Sequence, residues 1–470
     1  MYRAQRFLAL CIAFLLAGTA LAQNKTRQAT GVKVGEVTEN SAIVWMRVTA
    51  NAARNTEGQS FKGRPAKDNP KIEDVDKLEG AVPGAPGQVR LRYGTKQDLA
   101  DARSTEWTTV KTENDFSHQF KLTALQPGTT YYYEAQTRGP KGEEHDSLKG
   151  RFQTAPKADA AADVTFTVVT GQAYKDIDHD DGFHIYEGMG KLNPQFIVPT
   201  GDTVYYDSEA PRAVTPALAR YHWQRMYGFP RHIDFHLKSA GYWEKDDHDT
   251  VANDCWPTMK PAFMLPLTFE TGCNLFREQV PMGDKTYRTF RWGKDLQVWL
   301  VEGRDFRSPN NMKDGPMKTI WGEEQKKWLK DTMLKSDATW KVLVSPTPIV
   351  GPDRAQGKND NHSNKAFETE GNEVRKWFAE KLPDNFFICC GDRHWQYYSI
   401  DPETKVKEFS CGPASDKHAG GSPGQDKEFH QFHRVKGGFL SVSVNKAGNI
   451  FFRFHDVMGN VVHEYKQEKK

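Results

Sequence analysis

Acidic and histidine side chains follow four separate apolar runs of this 470-residue chain, each at the point where the run ends. In open α/β sheets, ligands bind beyond the carboxyl ends of the strands, so we expect these side chains to lie close together. Carboxylate oxygens suit hard cations and imidazole adds affinity for borderline metals, which predicts a multinuclear metal site. The runs and the residues after them are QFIVPT before Asp202 and Tyr205, AGYWE before Asp246, Asp247, His248 and Asp249, LQVWLV before Glu302, Arg304, Asp305 and Arg307, and FFICC before Asp392, Arg393 and His394.

The elements that must position these residues begin after about residue 155. Apolar runs there alternate with amphipathic segments such as EEQKKWLKDTML and NEVRKWFAEKL. Buried strands separated by helices predict an α/β domain over residues 156–470.

The chain before that point has a different pattern. Residues 23–155 contain short strand-like segments separated by turn residues, a pattern that predicts an all-β sandwich. The stretches SAIVWMRV and LQPGTTYYYEAQT resemble fibronectin type III domains. Residues 51–88 are rich in Gly, Pro and charge, and we interpret them as a long surface insertion.

Charge and targeting signals narrow the functional classes. The net charge of +3 argues against a nucleic-acid partner bound through bulk charge. Residues 1–22 combine early arginines, a short apolar run and Ala-Leu-Ala, and are interpreted as a bacterial Sec-type signal peptide. No later apolar run is long enough to span a membrane, so we expect an exported, periplasmic or extracellular protein. Cys255 and Cys273 could pair in an oxidising compartment.

The order of these motifs resembles one known family. GDxxY, then DDH with Asn shortly after, then ExRxxR and finally GDxH is similar to the PhoD-like alkaline phosphatases and phosphodiesterases. That family belongs to the calcineurin-like metallophosphoesterases and is related to purple acid phosphatases. GDTVYY, KDDHDTVAND and GDRHWQYY carry the likeness, which extends over nearly the whole chain after residue 22. The resemblance implies a four-layer β-sandwich flanked by helices, preceded by a fibronectin type III-like sandwich.

The resemblance also implies roles for single residues. The expected metal ligands are Asp202, which would bridge the ions, Tyr205, which matches the family's iron-ligating tyrosine, and Asp247, Asp392 and His394. His248 matches a catalytic histidine, and Arg304 and Arg307 match arginines suited to phosphate oxygens. The residues assigned to substrate binding are Arg393, Gln172 and Asn253.

The sequence departs from the family at two places. The family's iron-ligating Cys is replaced by Gly171, so Gln172 or the acidic stretch Asp176, Asp178, His179 and Asp180 compensates, or the first metal is held more loosely. His362, in KNDNHSN, stands where related enzymes place a histidine ligand, and is interpreted either as that ligand or as a substrate-binding residue. Two or more ions are expected, Ca²⁺ or Fe³⁺ by resemblance, with Mg²⁺, Mn²⁺ or Zn²⁺ as alternatives.

The expected activity is hydrolysis of a small phosphate ester by a metal-activated water, with His248 protonating the leaving group. The motifs do not separate phosphate monoesters from diesters. The absence of a GxSxG sequence argues against a serine esterase. The alternative is a secreted binding or adhesion protein with a degenerate phosphoesterase domain. The lost thiolate favours this alternative, and the intact carboxylates and histidines count against it.

Overall fold

The computed structural model describes residues 26–61, 63–65, 69–354 and 359–470. The predicted signal peptide, residues 1–22, lies outside the described residues, as does part of the predicted 51–88 insertion. Strands of the first third are β1 (Lys33–Gly35), β2 (Ala42–Arg47), β3 (Gln88–Gly94), β4 (Arg103–Ser104), β5 (Thr108–Thr109), β6 (Ser117–Leu122), β7 (Thr130–Arg138) and β8 (Leu148–Gln153).

The remaining strands are β9 (Val164–Val169), β10 (Phe196–Pro199), β11 (Ala240–Gly241), β12 (Arg288–Trp292), β13 (Leu296–Leu300), β14 (Trp340–Ser345), β15 (Phe386–Cys390), β16 (Gln396–Ile400), β17 (Lys407–Cys411), β18 (His430–Arg434), β19 (Phe439–Val444), β20 (Ile450–His455) and β21 (Val461–Gln467). The helices are α1 (Ile185–Lys191), α2 (Pro216–Tyr227), α3 (Pro230–His236), α4 (Phe269–Gln279), α5 (Gly322–Lys335) and α6 (Glu368–Lys381). Short 3₁₀ turns cover Val75–Lys77, Thr112–Asn114, Tyr174–Asp176, Ala262–Met264 and Lys365–Phe367.

Two large sheets form the centre of the molecule. One has nine strands in the order β21-β20-β19-β9-β10-β11-β1-β2-β6, and the other has seven in the order β12-β13-β14-β15-β17-β16-β18. Their inner faces share one apolar core, in which Phe409 of β17 stacks on Phe452 of β20 with ring centroids 4.1 Å apart. Every residue of β10 is buried, as expected for a parallel strand covered on both faces.

Helices cover the outer face of each sheet. Ile197 of β10 packs in one apolar cluster with residues of α1 to α4, and Leu343 of β14 packs with residues of α5 and α6. In α5 the buried side chains Gln325, Leu329 and Met333 recur every four residues, which places one stripe of the helix against the sheet. The layers are therefore helix, sheet, sheet and helix, and the predicted α/β class is confirmed.

The N-terminal strands do not form an isolated unit. Strand β1 pairs in parallel with β11, with Gly35 opposite Gly241, so β1, β2 and β6 extend the nine-stranded sheet. Strands β3, β4, β5, β7 and β8 form a separate five-stranded sheet. The nine-stranded sheet thus crosses the point near residue 155 where the sequence pattern changes, and the domain boundary itself stays a prediction.

Two further features bear on the sequence expectations. Within the described part of the chain, no helix combines the length and apolar character needed to cross a membrane. Cys255 and Cys273 are both buried free thiols, so the pairing considered from the sequence is not formed.

Candidate metal centre

The predicted site residues lie in loops at the carboxyl ends of neighbouring strands. Strands β9, β10 and β11 run parallel side by side, so the loops after them meet at one edge of the sheet. Gly201, with φ of 86°, allows the β10 loop to lie against the next one. A Cβ on Gly201 would stand 2.3 Å from the backbone nitrogen of Asp246, so only glycine permits this approach.

Asp202 lies at the bottom of the resulting cleft. Its side chain is 1% exposed, and its Oδ2 accepts a hydrogen bond of 3.0 Å from the Tyr205 hydroxyl. Its Oδ1 is buried and accepts no hydrogen bond within the described residues. Burial raises the pKa of Asp202 to about 6, although the nearby His248 opposes the rise. An unpaired buried carboxylate oxygen is costly unless a cation or proton balances it.

Asp249 fixes the two loops relative to each other. Its carboxylate accepts hydrogen bonds from the backbone nitrogens of Asp246, at 2.6 Å, and Thr203, at 3.2 Å. Burial raises the pKa of Asp249 to about 8. The residue therefore joins the Asp202 loop to the Asp247 loop from beneath.

Asp247 and His248 lie in the loop after β11, and His248 lines the cleft. One Asp247 oxygen accepts from the backbone nitrogen of His248 at 2.8 Å, and the other accepts from that of Asp254 at 2.6 Å. Candidate ligand atoms of Asp202, Asp247 and His248 all lie within 4.8 Å of one another. This donor set of two carboxylates and one imidazole fits a divalent or trivalent cation.

His248 is held by a carboxylate that the sequence analysis did not identify. Its Nδ1 lies 2.6 Å from Oδ1 of Asp207, which leaves Nε2 as the ring nitrogen without this partner. Burial lowers the pKa of His248, but the charges of Asp207, Asp247 and Asp202 outweigh burial and hold that pKa well above its ordinary value. A protonated imidazole with one fixed nitrogen is the arrangement required of a general acid.

The loop after β15 supplies the third part of the site. Nε2 of His394 lies 3.7 Å from Oδ2 of Asp202 and 3.5 Å from the Tyr205 hydroxyl. Asp392 lines the same cleft, has a φ of 59° and forms an ion pair with Arg393. The two large sheets thus contribute to one site, because β10 and β11 belong to the first and β15 to the second.

The cleft above these residues has a volume of about 670 Å³. Its lining includes most of the predicted ligands together with Asn253, whose backbone nitrogen donates to Asp207 at 3.0 Å. Cationic side chains also line it, and these were not among the sequence predictions. They are Arg64, Lys175, Arg354 and Lys417.

Three predicted arginines have internal partners instead. Arg304 is fully buried, with Nε 2.6 Å from Asp246 and Nη2 3.2 Å from Asp360 and 3.7 Å from Asp247. Arg307 donates to the backbone oxygen of Asp360 at 2.6 Å, and Arg393 pairs with Asp353 at 2.8 Å. None of the three belongs to the described lining of the cleft, so their roles in phosphate contact stay predictions that this geometry does not favour.

Three other predicted residues also lie outside that lining, namely Asp247, His362 and Gln172. His362 is 1% exposed, and its Nε2 lies 3.1 Å from Glu370 beneath the ring of Trp321. Gln172 is buried and its Oε1 accepts from the hydroxyl of Tyr186 at 2.5 Å. Their predicted contacts with metal or substrate stay predictions, and each side chain already has a partner in the protein.

A second acidic group lies behind the first. Ligand atoms of Asp247, Asp254 and Asp360 are within 4.8 Å of one another. The guanidinium of Arg304 contacts two of these carboxylates, and so supplies positive charge there without an ion. The group therefore serves as support for Asp247 from inside the protein.

The chain is similar to known proteins over most of its length. The family model for PhoD-like phosphatase matches residues 166–450, and the model for the N-terminal domain of PhoD-like phosphatase matches residues 16–156. Alkaline phosphatase D of Bacillus subtilis (strain 168) is 23% identical over 445 residues, which cover 80% of this chain and 72% of that protein.

Two solved structures share the fold. The structure of PhoD aligns with a TM-score of 0.74 at 16% identity, over 95% of this chain and 91% of that one. The purple acid phosphatase PPD1 from yellow lupin seeds aligns with a TM-score of 0.61 at 12% identity, over 93% of this chain and 73% of that one. At these identities the two likenesses establish the arrangement of strands and helices.

Proposed function

The chain belongs to the PhoD-like phosphatase family, and from that premise we propose that it is a metal-dependent phosphoric ester hydrolase acting on small phosphate monoesters or diesters. The observation that carries the proposal is the meeting of Asp202, Asp247 and His248 at the bottom of a cleft lined by cationic side chains. The two carboxylates suit metal ions, the imidazole suits proton donation, and the cations suit phosphate oxygens. Metal ions and cationic side chains both stabilise the charge that develops when a phosphate ester is cleaved.

Metal ions bound by Asp202, Asp247, Tyr205, Asp392 and His394 would act as Lewis acids on the phosphoryl oxygens and on the attacking water. The residues present fit this task, because the set contains carboxylates, a phenol and imidazole, and one Asp202 oxygen is buried without a hydrogen bond. The identity of the ions is left open by these ligand types, which suit iron and zinc as well as calcium.

His248 would donate the proton that the leaving alkoxide requires. Its Nδ1 is fixed by Asp207 at 2.6 Å, and the surrounding carboxylates hold its pKa well above the ordinary value. This fixed position suits the ring to proton donation to the leaving group. Asp207 orients the ring and stabilises its charged form.

The cations at the mouth of the cleft would contact the substrate. Arg354 and Arg64 present guanidinium groups, which bind phosphate oxygens through paired N–H donors. Lys175 and Lys417 add charge without fixed geometry. We propose these four residues, in preference to the buried Arg304 and Arg307, as the phosphate-binding groups.

We also propose that the protein is exported after removal of residues 1–22, and that residues 23–155 are a fibronectin type III-like domain. The alternative of a binding protein with a degenerate phosphoesterase domain is less well supported, because the carboxylates and histidines of the site lie together.

The test is hydrolysis of 4-nitrophenyl phosphate and bis(4-nitrophenyl) phosphate by the purified protein, before and after chelation. We expect activity on at least one ester, its loss on metal removal, and its return when metal is restored. Full activity in metal-free protein would contradict the metal dependence. No hydrolysis with any of the five candidate ions would instead favour the binding protein.

A further inference from the structure

His418 lies in the cleft, although no strand-end motif marked it in the sequence. It follows β17 by seven residues, and its Nε2 lies 2.9 Å from the hydroxyl of Tyr205. Its ring lies against that of His394, with centroids 4.1 Å apart. Two imidazoles thus lie close to the hydroxyl of Tyr205.

The imidazole of His418 is held in one orientation. Its Nδ1 lies 2.7 Å from Oδ2 of Asp176, in the 3₁₀ turn after β9. The backbone oxygen of Asp176 accepts a hydrogen bond of 2.7 Å from the hydroxyl of Ser415, which ties this turn to the loop that carries His418. A carboxylate on one ring nitrogen fixes the tautomer and directs the other nitrogen outward, as is usual for histidines that bind metals.

Gly171 leaves the space that His418 occupies. Its φ is 60°, and a Cβ at this position would stand 3.2 Å from Cδ2 of His418 and 3.0 Å from Cβ of Pro413. A bridge between Thr170 and Pro413 attaches the His418 loop to the end of β9. A larger side chain at position 171 would therefore compete with the imidazole for the same volume.

The spacing of donor atoms around Tyr205 matches that of a coordination sphere. Its hydroxyl lies 3.0 Å from Oδ2 of Asp202, 2.9 Å from Nε2 of His418 and 3.5 Å from Nε2 of His394. Neighbouring ligands of an ion with bonds of ~2.0–2.1 Å stand ~2.8–3.0 Å apart in octahedral geometry and ~3.3–3.4 Å apart in tetrahedral geometry. Asp202 and His418 thus stand at the distance from the phenol that neighbouring ligands of one octahedral ion would have, and His394 stands slightly farther away.

We propose that Nε2 of His418 is an additional metal ligand, at the subsite shared by Asp202 and Tyr205, and that Asp176 is the residue that positions it. The inference rests on the proposed metal-dependent function. His418 would give the first subsite an additional nitrogen ligand. The replacement for the family's cysteine, expected near Gly171, would then come from the loop after β17, and Asp176 would support it without binding the metal. Gln172 is not needed for it, because its side-chain oxygen is taken by Tyr186.

The experiment compares Co²⁺ binding by metal-free wild type, His418→Ala and Asp176→Asn, with His463→Ala as a matched control. His463 is a part-buried histidine of β21 that stacks on Phe432. Loss of an orienting carboxylate typically weakens metal binding ~10–100-fold, so Asp176→Asn should fall in that range and His418→Ala at or beyond its upper end. The control should bind Co²⁺ as wild type does, and the thermal midpoints of the metal-free variants should show that all are folded.

Direct contact is read from the proton NMR spectrum of the Co²⁺ protein. A histidine that binds Co²⁺ through Nε2 keeps its Nδ1 proton, which Asp176 protects from exchange in the case of His418. This proton gives one hyperfine-shifted exchangeable resonance, and His418→Ala should lack it. Unchanged Co²⁺ affinity in His418→Ala, or the same number of such resonances, would overturn the ligand assignment. The ligand assignment can fail while the wild-type protein still binds Co²⁺ and hydrolyses phosphate esters, and the proposed function then stands. A wild-type protein that neither binds Co²⁺ nor hydrolyses these esters would contradict the proposed function itself.

Discussion

Removal of the His248 imidazole separates acid catalysis from metal binding. A ligand and a general acid fail differently, because loss of a ligand lowers metal content for every substrate. Loss of a general acid leaves the metal in place and slows esters with poor leaving groups most. Asp207, whose Oδ1 lies 2.6 Å from Nδ1 of His248, would fix the ring for either role, so the two failure patterns decide between acid and ligand.

The expected size follows from the leaving group. General acid assistance is worth ~10²–10⁴-fold in rate, or about 3–5 kcal/mol of barrier. His248→Ala should therefore lose ~10²–10⁴-fold in kcat on an alkyl phosphate, whose alkoxide must be protonated. On 4-nitrophenyl phosphate the loss should be about 10-fold or less, because nitrophenolate leaves with little help.

The assay measures kcat for both esters together with metal content by mass spectrometry of the purified variant. Asp247→Ala is the comparison, and it should lose metal and fail on both esters. Asp207→Asn keeps the ring but removes its anionic partner, so it should show a weaker form of the same leaving-group pattern. Equal losses on the two esters in His248→Ala, with metal also gone, would refute the reasoning and make His248 a ligand.

Four other substitutions test the remaining parts. If the centre holds iron(III), tyrosinate coordination gives a visible charge-transfer band that Tyr205→Phe should abolish; a band that persists would exclude Tyr205 as its source. Burial opposes ionisation of Glu370, but hydrogen bonds lower its pKa to about 2 from the ordinary 4.5. The stability that ionised Glu370 contributes is therefore lost as the pH falls from about 4.5 to about 2. Glu370→Gln should lower the free energy of unfolding by ~3 kcal/mol at pH 7 and flatten this acid limb in denaturant titrations, with the exposed Glu380→Gln unchanged. Arg304→Ala should cost ~3–5 kcal/mol in the same titrations because it leaves buried carboxylates unpaired, whereas Arg354→Ala should raise KM and leave unfolding unchanged.

The position of polar residues at strand ends was the sequence signal for the candidate site. It predicted that Asp202, Asp247, His248 and His394 would meet, because parallel strands present their carboxyl ends at one edge. The alternation of apolar runs with amphipathic segments also predicted the α/β layers correctly. Both predictions depend on local patterns, which the sequence displays directly.

The partners of these residues were harder to foresee. Asp207 follows Tyr205 by two residues, and His418 follows the strand-like run ending in Cys411, so the same argument extended to each of them would have found both. The burial of Arg304 could not be read from its motif, since a guanidinium suits phosphate and buried carboxylates equally well. The pairing of β1 with β11 was also hidden, because it joins segments about 200 residues apart in the chain.

Asp202→Ala offers the most direct measurement of the central claim, because Asp202 is placed to bind metal and has no role in proton transfer. Metal content and hydrolysis of a nitrophenyl ester should be measured on the same preparation, with circular dichroism to show that the fold is kept. We expect at least one ion to be lost and hydrolysis to be abolished. Full metal occupancy with normal turnover in Asp202→Ala would contradict the assignment of this cleft as a metal-dependent phosphoesterase centre.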